Sequence, residues 1–149
     1  MRFMERITGE GMLLFALIAL CSSGSLVLQA APKTPTFHVV RPTIVAFFPR
    51  LSDAELAKDP DSNEALSDFQ LYARQARSKL QTRRIDFHEI YDQSFSIRVG
   101  RQIKVFRPSK AQVGYYLIAP GKKPLVEYGV MTDDDLLQVA DRYFGTTRK

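Results

Sequence analysis

The chain has one cysteine, Cys21, and two histidines, His38 and His88, among 149 residues. Cys21 lies within an apolar stretch, "GMLLFALIALCSSGSLVLQAAP", preceded by Arg2, Glu5, Arg6 and Glu10 and leading to a small-residue exit at Leu28-Gln29-Ala30. A charged start, an apolar middle and a small-residue exit predict a Sec-type signal peptide over residues 1–30, cut after Ala30. Left uncut, the same stretch is nearly long enough to anchor in a bilayer, although Cys21-Ser22-Ser23-Gly24-Ser25 interrupts its apolarity. Leu20 stands where acylation of Cys21 would call for a small residue. Cleavage removes the only thiol, which excludes intramolecular disulfides, cysteine metal sites and a thiol nucleophile. His38 and His88 fall in different predicted strands with neither an acid nor a second histidine at ligand spacing, so they read as ordinary strand residues and no metal site is expected. Ser52-Asp53 and Ser67-Asp68 have no base at a suitable spacing, and serine hydrolase chemistry has no support.

What remains is basic. The signal segment takes away two arginines and two glutamates, so the net charge stays at +5, and about 120 residues are left, enough for one domain with one core. Arg74, Arg77, Lys79, Arg83 and Arg84 lie on or after the first predicted helix, while Arg98, Arg101, Lys104, Arg107 and Lys110 punctuate the middle of the chain. Joined into one cationic surface, they would bind a protein partner or an anionic envelope component such as lipid head groups or cell-wall polymer. The competing reading is that they solvate outer strand and helix positions. A periplasmic or secreted destination argues against nucleic acid, and membrane contact is expected only if the N-terminal segment stays uncut.

Residues 31–42 hold three prolines and read as an extended segment, either a linker or an edge strand. Thr43–Phe48 is a continuous apolar run with β-branched residues, fitting a strand buried on both faces and ended by Pro49. A polar loop follows, then an amphipathic helix carrying Leu66, Phe69, Ala73, Ala76 and Leu80 at helical spacing. "RIDFHEIY" alternates as a strand, and strand, helix, strand in this order favours a parallel pair. "SFSIRVGRQIKVFRPSKAQ" is open: Phe95, Ile97 and Val99 alternate as in a hairpin turning at Gly100-Arg101, while Val99, Ile103 and Phe106 also share a helical face. "VGYYLIAPGKKPLVEYGV" predicts an antiparallel hairpin turning at Pro120-Gly121-Lys122-Lys123. "TDDDLLQVADRYFG" predicts a final helix capped by Thr132, burying Leu136, Leu137, Val139, Ala140 and Tyr143, and stopping at Gly145. Asp133, Asp134 and Asp135 read as charge at the positive end of that helix. "DPDSNE" spaces Asp59, Asp61 and Asn63 like calcium ligands, yet lacks the glycine and glutamate of such loops. It reads as a solvated loop in which Ser62 or Asn63 caps the helix.

This order resembles the thioredoxin-like superfamily, and small, uncharacterised secreted bacterial members of it in particular. "YYLIAPGKKPLVEYGVMTDDDLLQVADRYF" is similar to that family's hairpin and last helix, with Gly121 at the turn glycine and Gly129 at the glycine before the helix; "RPTIVAFFP" falls at its central strand. The resemblance implies an α/β fold, a three-layer sandwich with a mixed sheet flanked by helices, over residues 43–145 with a tail at 146–149. The family's Cys-x-x-Cys would fall in "FFPRLSDAE", where none exists, and Val113 takes the position of its cis-proline unless Pro108 or a shifted register supplies it. What it implies is therefore a redox-inactive binding or accessory module of the bacterial envelope, without a cofactor. It would hold its partner through the basic surface (Arg74, Arg77, Arg98, Arg101, Lys104, Arg107) or through the former active-site loop (Pro49, Arg50, Ser52, Asp53, Glu55). The alternative is an enzyme using Arg50, Asp53 and Glu55 beside the strand end, where open α/β sheets bind ligands.

Overall fold

A computed structural model describes residues 34–92, 94–108 and 112–145. The segment 1–30, expected to be a signal peptide, and the tail 146–149 lie outside the described residues. Ten elements follow in chain order: β1 (Thr36–His38), β2 (Thr43–Phe47), α1 (Asp53–Lys58), α2 (Pro60–Thr82), β3 (Asp86–Ile90), β4 (Phe95–Val99), β5 (Gln102–Phe106), β6 (Gly114–Ile118), β7 (Leu125–Tyr128) and α3 (Asp133–Phe144).

Every residue of β2 is buried, which requires a neighbour on each face. Ile44 and Ala46, with Phe48 just beyond the strand, pack among Phe69, Ala76 and Leu80 of α2 and Leu136, Leu137 and Ala140 of α3. Val45 and Phe47 point the other way, into a second core with Phe95, Ile97, Tyr116 and Ile118. The strand sits inside a four-stranded sheet of order β3-β2-β6-β7. It runs parallel to β3, as the strand-helix-strand order predicts, and antiparallel to β6, which pairs antiparallel with β7.

The second core is closed by strands. The segment left open between hairpin and helix is a hairpin, with Phe95 opposite Phe106 and Val99 opposite Gln102, and Gly100 takes the left-handed conformation at its turn (φ 57°). β1 lies parallel to β4, so the extended segment before Thr43 is an edge strand and belongs to the same compact unit as the rest. The layers are thus helices, a four-stranded mixed sheet and a three-stranded mixed sheet, β1-β4-β5. This is an α/β sandwich. The expectation of helices on both sides gives way to a β layer on one, because the alternation of Phe95, Ile97 and Val99 puts an apolar face against the sheet.

Local chemistry sets the element ends. Thr132 caps α3 by accepting from the Asp135 amide at 3.2 Å, and Gly145 ends it in the left-handed region (φ 76°). The "DPDSNE" segment is the start of α2, but its cap is Asp59 rather than Ser62 or Asn63. Pro60 sets the helical φ at the first position, so the helix starts three or four residues earlier than expected, and the Ser62 hydroxyl donates to the Asp59 carboxylate at 2.6 Å. α1 was expected to be loop. Its signal is the spacing Ser52-Asp53-Ala54-Glu55, which closes a reciprocal capping box.

Among the described glycines, the tightest surroundings are at Gly114. A Cβ there would lie 2.5 Å from the Glu127 carbonyl oxygen and 2.7 Å from Cζ of Phe47. The Phe47 ring fills the space that a side chain on the paired residue of β6 would take. From that position it reaches Phe106 (5.3 Å between centroids), Phe95 and Tyr128 (6.1 Å each). Gly114→Ala is expected to lower stability by about 2 kcal/mol, because a fixed backbone oxygen bounds one side of the gap. Thermal unfolding read by circular dichroism checks it, and an unchanged midpoint would remove Phe47 from this role.

Candidate functional site

The carboxyl end of β2 leads through Phe48, whose amide donates to Ile90 at 3.0 Å, into Pro49 and the short helix α1. Beside it lies a cleft of about 490 Å³ walled by Phe48, Pro49, Leu51, Ala65, Val113 and Tyr128, with Ser62 and Gln112 as its main polar side chains. Opposite Pro49, Val113 leads into β6, and its carbonyl accepts the Gly129 amide at 2.9 Å. The Ser62 hydroxyl is already engaged by Asp59. Among the described residues no carboxylate, amine, guanidinium or imidazole lines the cleft.

Of the five loop residues singled out in the sequence, only Pro49 forms part of this wall. Arg50, Ser52, Asp53 and Glu55 are exposed. Glu55 Oε2 accepts from the Ser52 amide and from the Ser52 hydroxyl, each at 2.7 Å, and these bonds hold its carboxyl below the usual range. Its role is to close the turn of α1. Neither Arg50 nor Asp53 lines this cleft. Leu51, which the sequence did not point to, is the residue that lines the cleft with Pro49.

Charge is distributed very unevenly between the layers. On the helix side and along β3, cations meet carboxylates: Arg41 with Asp86, Arg77 with Glu89, Lys79 with Asp133 and Asp134, and Arg83 with Asp141 at 3.2 Å. The acidic first turn of α3 is therefore tied to α2 as well as placed against the helix dipole. Arg77 also lies over the Phe87 ring at 5.9 Å. The β layer has nothing comparable. Arg98, Arg101, Lys104 and Arg107 are exposed and make no ion pair among the described residues. No aspartate or glutamate occurs anywhere from Ser94 to Val126.

The six basic residues thus sit on two layers. Arg74 and Arg77 belong to α2 on the helix side; Arg98, Arg101, Lys104 and Arg107 belong to β4, β5, their turn and the residue after β5. Lys110 lies outside the described residues. Arg98 is opposite Ile103 and beside His38, and Ser96 is opposite Val105, so these side chains share the outer face of the β layer. Ile103 is 53% and Val105 57% exposed there. Lys104 is paired with Ile97 on the other side, at the rim of a cavity of about 170 Å³ between the sheets. Across that cavity, Lys122 donates to the Tyr143 and Phe144 carbonyls at 2.8 and 3.4 Å, which ties the β6–β7 turn to the negative end of α3. Among the described residues no cluster of three His, Cys, Asp or Glu is placed to hold a metal.

His88 joins the layers. Its ring stacks on Phe37 of β1 with centroids 4.7 Å apart. Burial pushes its pKa below the ordinary 6.5 and the Arg77 charge pushes the same way, against the pull of Asp86. Asp86 is itself held below the carboxylate range, first by its hydrogen bond from Arg41. Comparison with protein-family models, with curated proteins and with solved structures returns no match. Function must be read from the residues and their placement.

The shift at His88 fixes a pH dependence. The folded chain holds this imidazole neutral where the unfolded chain already protonates it, so the unfolded state binds more protons and stability falls as pH falls below 6.5. The lowered carboxylates act in a separate window, below about pH 4. His88→Gln should flatten the decline just below pH 6.5 while leaving the acid limb in place. Urea unfolding at stepped pH measures it; an unaltered slope just below pH 6.5 would contradict the assignment.

Proposed function

We propose that the chain is a redox-inactive, thioredoxin-like binding module of the bacterial envelope that engages an anionic partner through its β layer. Several features support the scaffold reading. Parallel β2 and β3 flank α2, and the antiparallel β6–β7 hairpin and α3 follow, with β2 and β6 adjacent in the order β3-β2-β6-β7. That is the order expected of a thioredoxin-like domain. The segment where such a domain keeps its thiols is Pro49–Glu55, which contains none. The envelope location rests on the sequence of residues 1–30.

The observation that carries the functional reading is the set of four cations on a layer without a carboxylate. Elsewhere on the described surface four bases, Arg41, Arg77, Lys79 and Arg83, meet carboxylates; none of the four cations on the β layer does. Unpaired guanidinium and ammonium groups on a fixed sheet attract a polyanion at long range and release it as salt rises. An enzymatic reading through Arg50, Asp53 and Glu55 has less support. The cleft beside them is apolar, and Glu55 is held by Ser52.

The combined substitution Arg98→Glu, Lys104→Glu and Arg107→Glu should reduce capture on vesicles containing an anionic phospholipid or on immobilised polyglutamate by at least about tenfold. Arg74→Glu, on the helix layer, should leave capture near the wild-type level. Co-sedimentation and surface plasmon resonance at two salt concentrations provide the readout. Equal capture by the triple variant would dismiss the β layer as the binding surface.

A further inference from the structure

We propose that β5 is a docking edge for an extended polypeptide strand in which acidic and apolar residues alternate. This rests on the reading of the β layer as the binding face and names the class of partner. In the order β1-β4-β5 the last strand has a partner on one side only, so along Gln102–Phe106 a row of backbone donors and acceptors faces outwards without a strand among the described residues. Such a rim accepts an added strand through main-chain hydrogen bonds, and the side chains on its two faces choose which strand.

The two faces of β5 ask for different chemistry. On the outer face Ile103 and Val105 are more than half exposed, and cross-strand neighbours of β-branched residues are best apolar. On the other face Lys104 has no ion pair among the described residues, and Arg101 and Arg107 stand at the two ends of the strand. A strand laid along this edge is matched when its residues opposite Ile103 and Val105 are apolar, the residue between them is acidic, and acids lie at its ends.

The same charges select against a second copy. Two β5 edges paired antiparallel about Lys104 would bring lysine against lysine and Arg101 of each towards Arg107 of the other, and like charges directly opposite are destabilising. The other edges are less suited. β1 is three residues long, β7 begins after Pro124 and carries Glu127, and β3 has both its carboxylates engaged, Asp86 by Arg41 and Glu89 by Arg77.

The test uses the purified chain and a short fluorescent peptide alternating glutamate with valine or threonine, followed by anisotropy. Binding is expected, with affinity lowered at least about tenfold by Lys104→Glu and little changed by Arg74→Glu. Methylating the peptide's alternate backbone nitrogens on the pairing edge should abolish binding without altering its charge. Equal binding of the methylated peptide, or of one with lysine in place of glutamate, would overturn the proposal. So would capture of anionic vesicles, lost in the triple charge reversal, without binding of the peptide; that result keeps the β layer as a binding face for lipid and dismisses the strand. Failure of both peptide and vesicles to bind would sink the β-layer reading itself.

Discussion

The Phe47 ring resting on Gly114 is the contact from which the rest of the architecture follows. β2 is buried on both faces, and its helix side is an ordinary core of aliphatic and aromatic side chains. Its other side needs a cover broad enough for large rings, and the missing side chain at Gly114 lets Phe47 lie flat enough to meet Phe95 and Phe106 from the β layer. Tyr116 completes the cluster, 4.8 Å from Phe106 and 5.5 Å from Phe95. Ring pairs in such offset and edge arrangements contribute about 0.5–1.5 kcal/mol beyond the area they bury. A hairpin supplies these rings where the superfamily resemblance led one to expect a helix.

That substitution decides what faces solvent. A strand with an inward apolar face must present its alternate residues outwards, and on β4 and β5 those that reach solvent are Arg98, Ile103 and Val105. A helix in the same place would have spread its charges around a wide polar arc. The flat layer instead leaves two aliphatic residues beside unpaired cations and a free strand rim. Four bases elsewhere have other work: Arg41 ties the chain before β2 to β3, and Arg77, Lys79 and Arg83 tie α2 and its end to β3 and α3, through exposed or half-exposed pairs each worth little alone. Placement, more than the net charge of +5, distinguishes the β layer.

Much of the fold was legible because its signals are local. The apolar run of β2, the spacing of Phe69, Ala73, Ala76 and Leu80, the turn glycine Gly121 (φ 76°) and the caps Thr132 and Gly145 each act within a few residues. β1 was only half legible, since its partner is β4, and parallel pairing between Thr36 and Ser96 leaves no trace in a proline-rich segment. Val99, Ile103 and Phe106 have helical spacing, yet Ile103 faces outwards; the left-handed Gly100 settles the hairpin. At the candidate sites the residue types were readable but their neighbours were not. Glu55 looked like a loop carboxylate and closes the capping box with Ser52, and the six arginines and lysines read either as one surface or as solvating charges until the sheet divided them. The acid-free run from Ser94 to Val126 covers the β4–β5 hairpin and continues through β6, so it leaves that hairpin's cations without a local acid.

The central claim is that recognition belongs to the β layer and not to the cleft at the strand ends. Amide hydrogen exchange of the chain with and without immobilising polyglutamate tests it most directly. The account predicts added protection along Phe95–Phe106 and none at Phe48–Leu51 or Gln112–Val113. Protection concentrated at the cleft, with the hairpin unchanged, would contradict it.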